Sequence, residues 1–314
     1  MRIAGLRGWA GRIALLMLAA ACGNGSQKET DTFTAGRIRI AADDSYRLMI
    51  EAELYTFESL YRHATIDTIF TSESDVIDLF MKDSVPFIMV NRKLTQDEEQ
   101  FLRSRQIIPK TTKVAYDAVV FIVNKNNPDT AFSYDQIKSI FTGKIQRWKE
   151  INPTSVIGKL KVIFDNYKSG NPRYFKEKFG LDSFPSTCFA VSNNDEVIRY
   201  VERNPDALGV ISVNWISDPQ DTVSNNFLSL IKVAGISNEG NTGPEASYYK
   251  PYQAYIAEEF YPFTREVFCI NRQTYRGLAY GLAAFIAGEK GQMIILRAGM
   301  VPATMPVRIV EIKK

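Results

Sequence analysis

Ser133-Tyr-Asp-Gln-Ile-Lys-Ser-Ile-Phe-Thr-Gly-Lys-Ile-Gln-Arg-Trp148 is the stretch on which the reading of the fold turns. Ser133 followed three residues later by Gln136 is a capping-box pattern, in which each side chain takes one of the free N–H groups at a helix start. The helix it opens stops near Gly143. Just upstream, Asp117-Ala-Val-Val-Phe-Ile-Val-Asn124 reads as a long, almost uncharged strand, ended by the Asn-Asn-Pro128 break.

Working outward, strand and helix patterns alternate. Residues 37–41, 65–70 and 86–90 read as strands; 46–60, 74–81 and 96–104 read as helices. That βαβαβα order predicts an α/β fold with a mainly parallel sheet covered by helices. Downstream, Lys161-Val-Ile-Phe164 and residues 207–213 read as strands, with helices after Gly170 and over 193–203. Residues 235–250 are rich in Gly, Asn, Ser and Pro and read as loop. A strand over 263–270, then helices over 275–287 and 288–297, lead into Gly299-Met-Val-Pro302.

The amino terminus carries a different signal. Arg2, Arg7 and Arg12 precede the apolar run Ile13-Ala-Leu-Leu-Met-Leu-Ala-Ala-Ala21, which ends in small residues directly before Cys22. That order is a secretory leader. Nine apolar residues cannot cross a bilayer core that needs about 20. A cysteine in place of an ordinary cleavage site resembles the bacterial lipobox, so residues 1–21 are expected to be a signal peptide and Cys22 the site of lipidation. The polar segment 22–35 is then a flexible tether. The expected location is the periplasm, membrane-anchored as a lipoprotein.

Removing residues 1–21 leaves 293 of 314 residues, enough for two domains. It also removes three arginines and no acid, so 38 basic residues become 35, equal to the 35 acidic ones. A neutral balance argues against nucleic acid as a partner. Cys188 and Cys269 each lie in an apolar run and read as buried free thiols rather than a disulfide. With His63 as the single histidine, neither a zinc site nor a Ser-His-Asp hydrolase has raw material, and no Gly-x-Ser-x-Gly elbow is present. These residues give no ground to expect a cofactor, a metal or an enzyme.

The segment 133–148 resembles the helix and Ile-Phe-x-Gly-Lys-Ile-x-x-Trp stretch of phosphate-type substrate-binding proteins of ABC transporters. Four further segments agree in order: Asp117-Ala-Val-Val-Phe-Ile-Val-Asn-Lys-Asn-Asn-Pro128, Asn204-Pro-Asp-Ala-Leu-Gly-Val210, Tyr261-Pro-Phe-Thr-Arg265, and Gly291-Gln292 with Gly299-Met-Val-Pro302. The resemblance implies a two-lobed class II periplasmic-binding-protein fold, each lobe a mixed sheet flanked by helices, joined by two crossing strands. Lobe I is then 36–117 plus 257–314 and lobe II is 118–256, hinged about a cleft.

In that family the ligand sits between the lobes on helix N-termini and hydroxyl groups, where free N–H groups favour an anion. Carried over position by position, the ligand-binding candidates are Ser45 and Tyr46 after the first strand, Ser72 and Ser74 at the second helix, and Ser169, Gly170 and Asn171 at the lobe II helix start. The family's ligand-facing acid corresponds to Asn91 or its neighbour. Its arginine corresponds to Asp165, with Asp43 and Asp44 adding further acid. Arg92 and Arg173 are the candidate substitute cations. An unpaired carboxylate at 165 penalises a bound dianion once desolvated.

The implied function is capture of a small anionic ligand, phosphate by family default, by a monomer that hands it to a membrane transporter permease. A second reading keeps the scaffold without high-affinity phosphate binding, as a sensor or interaction subunit of a membrane complex.

Overall fold

A computed structural model describes residues 31–216, 228–241, 243 and 245–305 of the chain. The leader, Cys22 and the first part of the tether lie outside the described residues. Strand β1 (Ala35–Asp43) pairs in parallel with β2 (His63–Thr71) and with β3 (Phe87–Val90). The next neighbours are β11 (Thr264–Asn271), antiparallel to β3, and the long β4 (Lys110–Asn124), antiparallel to β11. Beyond β4 come β8 (Ala207–Ser212), antiparallel to it, then β6 (Lys161–Phe164) and β7 (Cys188–Ala190), both running parallel to β8. Short strands β9 (Ile231–Val233) and β12 (Val301–Pro302) also pair with β4, and β5 (Ala131–Phe132) pairs with β10 (Gly235–Ile236) apart from the main sheet.

The parallel groups are thus the two flanks, and the antiparallel strands cross between them. β4 changes partner along its length: residues 110–118 face β11 and residues 119–123 face β8. Each half is thus a mixed sheet, and the two are joined through β4. Residues 110–116 escape the sequence reading because Lys110-Thr-Thr-Lys113 is polar; it forms strand because β11 lies beside it.

Helices cover the sheet: α1 (Arg47–Leu60), α2 (Glu73–Met81), α3 (Gln96–Ser104), α4 (Tyr134–Phe141), α5 (Gly170–Phe179) and α6 (Asn194–Arg203), with later helices Leu278–Ala287 and Glu289–Arg297. The capping box at Ser133 forms as its spacing predicts, and Thr95 with Glu98 makes a second one on α3. α4 buries Ile137, Ile140 and Phe141, the i, i+3, i+4 face of the segment quoted above. Phe141 stacks on Phe175 at 4.2 Å between ring centroids, and Phe121, Phe164 and Phe263 complete an aromatic core. Trp148 is fully buried, its indole N–H donating to the Asp206 carbonyl at 3.0 Å.

Cys188 and Cys269 are buried free thiols, and His63 stands exposed at the start of β2. The last residues of the expected tether are held in place. Asp31 accepts from the Leu278 backbone N–H at 2.7 Å and from the Tyr275 hydroxyl at 2.6 Å, a carboxylate seated on a free helix N-terminus. The helix read from residue 275 accordingly begins at Leu278.

α1 turns Met49, Ile50, Glu53, Leu54 and Phe57 inward. Glu53 is completely buried and neither of its oxygens finds a hydrogen-bond partner, so burial pushes its carboxyl up to about 9. A carboxyl raised in the fold stabilises fully below its unfolded value and loses that contribution as pH climbs toward 9. Glu53→Gln should therefore gain stability relative to the parent as pH rises, by on the order of 3 kcal/mol between pH 4.5 and about pH 7. Denaturant melts at several pH values measure this, and a pH-independent difference would contradict it.

Candidate functional site: carboxylates seated on two helix starts

Two helices of the second half of the chain begin facing the loop between β1 and α1. At a helix start the first amides have no partner within the helix and carry the positive end of its dipole. α5 starts without a side-chain cap, because the Ser169 hydroxyl donates instead to Asp165 Oδ1 at 2.7 Å. The Gly170 N–H donates across to Asp43 Oδ2 at 3.2 Å. In α6, Asn193 caps the Glu196 N–H at 2.9 Å. Asn194 donates to Asp44 Oδ2 from its backbone N–H at 3.3 Å and from its side-chain amide at 3.2 Å. Each helix start thus holds one carboxylate of an adjacent acidic pair.

The pair is fixed locally. Asp43 Oδ1 accepts from the Ser45 N–H at 2.9 Å, and Asp44 Oδ1 takes the Arg47 guanidinium at 2.6 Å. Asn91 adds a 3.4 Å amide contact to Asp43 Oδ2, and its side-chain oxygen accepts from Arg173. Arg173 also pairs with the buried Glu73, with Nη2 to Oε2 at 3.2 Å, and with Glu177 at 2.6 Å. Beside them the Ser74 N–H donates to the Lys168 carbonyl at 3.1 Å, and Lys168 reaches Asp75 at 3.1 Å. The Ser45 carbonyl accepts from the Trp215 indole at 3.0 Å and from the Asn214 amide.

Beneath lies Asp117 of β4, completely buried. It accepts from Arg265 Nε at 2.8 Å, the Ser212 hydroxyl at 2.7 Å, the Val213 N–H at 3.3 Å and the Tyr46 hydroxyl at 3.4 Å. This one carboxylate ties β4, β11, β8 and the start of α1 together.

Burial pushes Asp43 up to about 7, helped by the nearby charges of Glu73 and Asp165. Asp165 is also raised by burial, against the opposing hydrogen bonds from Ser169 and Asn171. Both groups hold a proton more readily in the folded protein than in the unfolded chain. Their stabilising contribution is present in acid and fades for Asp43 as pH rises through about 7.

Several expectations change here. Asp165 is not an unpaired acid: Ser169, Asn171 at 2.9 Å and Asn194 at 3.5 Å all donate to it. The Ser169 hydroxyl and the Asn171 amide, expected to face a ligand, are thereby turned to a carboxylate. Arg92 is no free cation, since Glu98 grips it through two 2.7 Å bonds. Arg173 is likewise engaged by Glu73. Ser72 caps α2, accepting from the Asp75 N–H at 3.4 Å, and the Ser74 side chain is exposed. Tyr46 is buried, and the Ser45 hydroxyl is buried without a hydrogen-bond partner.

The gap expected beside Ser169 is filled. Asn91 packs so closely that a Cβ on Gly170 would lie 1.9 Å from its amide nitrogen. Residues 45, 91, 165, 169, 170, 171 and 173 do converge. Glu73, Asn194, Asn214 and Trp215 join them without having been singled out. Only Asn194 carried a sequence signal, the Asn-Asn pair opening a helix. Among the described residues no group of three His, Cys, Asp or Glu side chains is placed to hold a metal ion, and no helix is long and apolar enough to cross a membrane.

The family model of the PBP superfamily domain matches residues 27–290. The chain belongs to the PBP superfamily. Among curated PBP-type relatives, the phosphate-binding protein PstS of Staphylococcus haemolyticus is 26% identical over 160 residues, 51% of this chain and 50% of that protein. PstS of Staphylococcus saprophyticus is 21% identical over 67% of this chain and 65% of its own, and that of Staphylococcus aureus USA300 21% over 80% and 73%. The chain thus spans half to two-thirds of the length of the first two. A Clostridium perfringens protein assigned as a phosphate ABC transporter substrate-binding protein, with bound phosphate, superposes with a TM-score of 0.72 at 21% identity, covering 85% of this chain and 100% of that one. An ABC-type phosphate transport receptor from Vibrio cholerae gives 0.62 at 20% identity, again over 85% and 100%. At these identities the likeness is one of fold, the two-lobed α/β architecture.

Gly170→Ala should force Asn91 off both Asp43 and Arg173 and cost about 1–3 kcal/mol, as overpacking of a filled interior does. Thermal melts read the loss; an unchanged melting temperature would show that Asn91 has room to move.

Proposed function

We propose that this PBP-superfamily chain is an extracytoplasmic solute-binding protein that captures an oxyanion, phosphate in the first place, between its lobes for delivery to a membrane transporter. The lobes in this reading are 36–117 with 257–314, and 118–256. One observation carries the proposal: the Gly170 and Asn194 amides, at two different helix starts, each hold a carboxylate oxygen. Positions that accept a carboxylate oxygen there are suited to the oxygens of a tetrahedral anion. Relatives named as phosphate-binding proteins make phosphate the first ligand to try. The lipobox-like Cys22 supports a lipid anchor, with the leader directing export. In this reading Ser45, Ser169, Asn171 and Asn194 turn toward the ligand once Asp43, Asp44 and Asp165 give them up.

A second reading has support of its own. The acids at 43, 44 and 165 already occupy the Gly170 and Asn194 amides and the Ser169 hydroxyl, which suits a sensor or interaction subunit that binds no phosphate.

Calorimetry with inorganic phosphate separates the two, run on the parent and on the Asp43→Asn variant. A ligand present at a hundredfold excess over its Kd stabilises the fold by about 2.7 kcal/mol, visible as a raised melting temperature. The proposal predicts saturable heat and that shift in the Asp43→Asn variant at least. Absence of both signals from either protein at millimolar phosphate would favour the sensor reading.

A further inference from the structure

We propose that the interlobe cleft is self-latching: Asp43 and Asp44 act as tethered carboxyl groups on the starts of α5 and α6, closing the lobes without ligand, so that an oxyanion enters by displacing them. Only the last clause rests on the function proposed above; the latch itself does not.

The arrangement is specific to adjacent acids. Asp43 caps the short 3-10 turn Asp44–Tyr46 through its Oδ1, leaving Oδ2 for Gly170, while Arg47 holds Asp44 Oδ1 and leaves its Oδ2 for Asn194. One carboxylate oxygen on each residue serves its own loop and the other serves the opposite lobe. Asp43 has no solvent exposure, and Asp44 only 7%. Further contacts bridge the same seam: Glu73 and Asn91 with Arg173, Asp75 with Lys168, Ser74 N–H with the Lys168 carbonyl, and the Ser45 carbonyl with Asn214 and Trp215. The Gly170 and Asn194 amides and the two acids are satisfied by one another, while the Ser45 hydroxyl and the side-chain oxygens of Asn194 and Asn214 stay buried without a partner.

A carboxylate on the same chain competes with a free anion at the effective concentration set by its tether, which for a short flexible link is in the millimolar range. If the unlatched form is only about 1% populated, the apparent Kd for an external anion is weakened about a hundredfold. Closure also responds to pH. Asp43 is faced by Glu73 of α2, Asp165 after β6, Arg265 of β11 and Tyr46 before α1. Glu73 is already paired with Arg173, and Arg265 with Asp117, so neither guanidinium is free to take up a charge on Asp43. Losing the Asp43 proton therefore places uncompensated charge in the closed seam, and the latch loosens as pH rises through about 7.

Amide hydrogen exchange of the ligand-free protein reads the latch directly. First-turn amides of a free helix start have no intrahelical partner, so latched Gly170 and Asn194 should exchange about a hundredfold more slowly than unprotected amides. Asp43→Ala with Asp44→Ala should return both to fast exchange. If that double variant does not fold, the parent's own rates decide, supported by Asp43→Asn and Asp44→Asn, each expected to speed only its own helix start. Fast exchange at both amides of the ligand-free parent would overturn the proposal, as would rates unmoved by every variant. Phosphate titration runs alongside. Protected amides without phosphate binding in any variant would support the latch and overturn the phosphate reading; tighter binding in the variants than in the parent supports both.

Discussion

Two helices that begin at the same seam need acceptor oxygens in front of them, and this chain supplies them from its own β1–α1 loop. The free amides of α5 and α6 would be costly to bury unpaired, because a buried N–H without a partner loses its water and gains nothing. Asp43 and Asp44 meet that need from the other side of the seam. Their own burial is costly in turn, which is why Asp43 sits near 7 and why Arg265, Asn91 and Ser45 gather around it. The site is a balance of donors and acids rather than an open cradle.

That balance rests on the crossing strands. Asp117 occupies the stretch of β4 where partnership passes from β11 to β8, and it holds Arg265 and Ser212 from those two neighbours. A buried ion pair adds little net stability over well-packed apolar groups, but removal of one member leaves an uncompensated charge. Its role here is geometric, fixing the start of α1 through Tyr46 and so aiming the acids that precede it.

Much of the architecture was legible in the sequence because its causes are local. The capping box at Ser133, the apolar period of α4 and the long uncharged run of β4 are each written within a few residues. The candidate site was legible only in outline. The residues carried over from the family resemblance do gather at one seam, yet their partners are distant in the chain: Arg173 and Glu73 are 100 residues apart, Asn194 and Asp44 150. No local pattern announces such pairings. Asp165 shows the consequence, since as an isolated letter it reads as a lone repelling charge, whereas Ser169, Asn171 and Asn194 surround it with donors. The polar first half of β4 and the seating of Asp31 on the helix Leu278–Ala287 were hidden for the same reason: a neighbour far along the chain creates them.

A crystal structure grown in saturating inorganic phosphate bears on all of this at once. The account predicts tetrahedral density against the Gly170 and Asn194 amides, with the side chains of Asp43 and Asp44 swung away from them. Phosphate bound elsewhere, or both carboxylates still in place on the two helix starts at saturation, would contradict it.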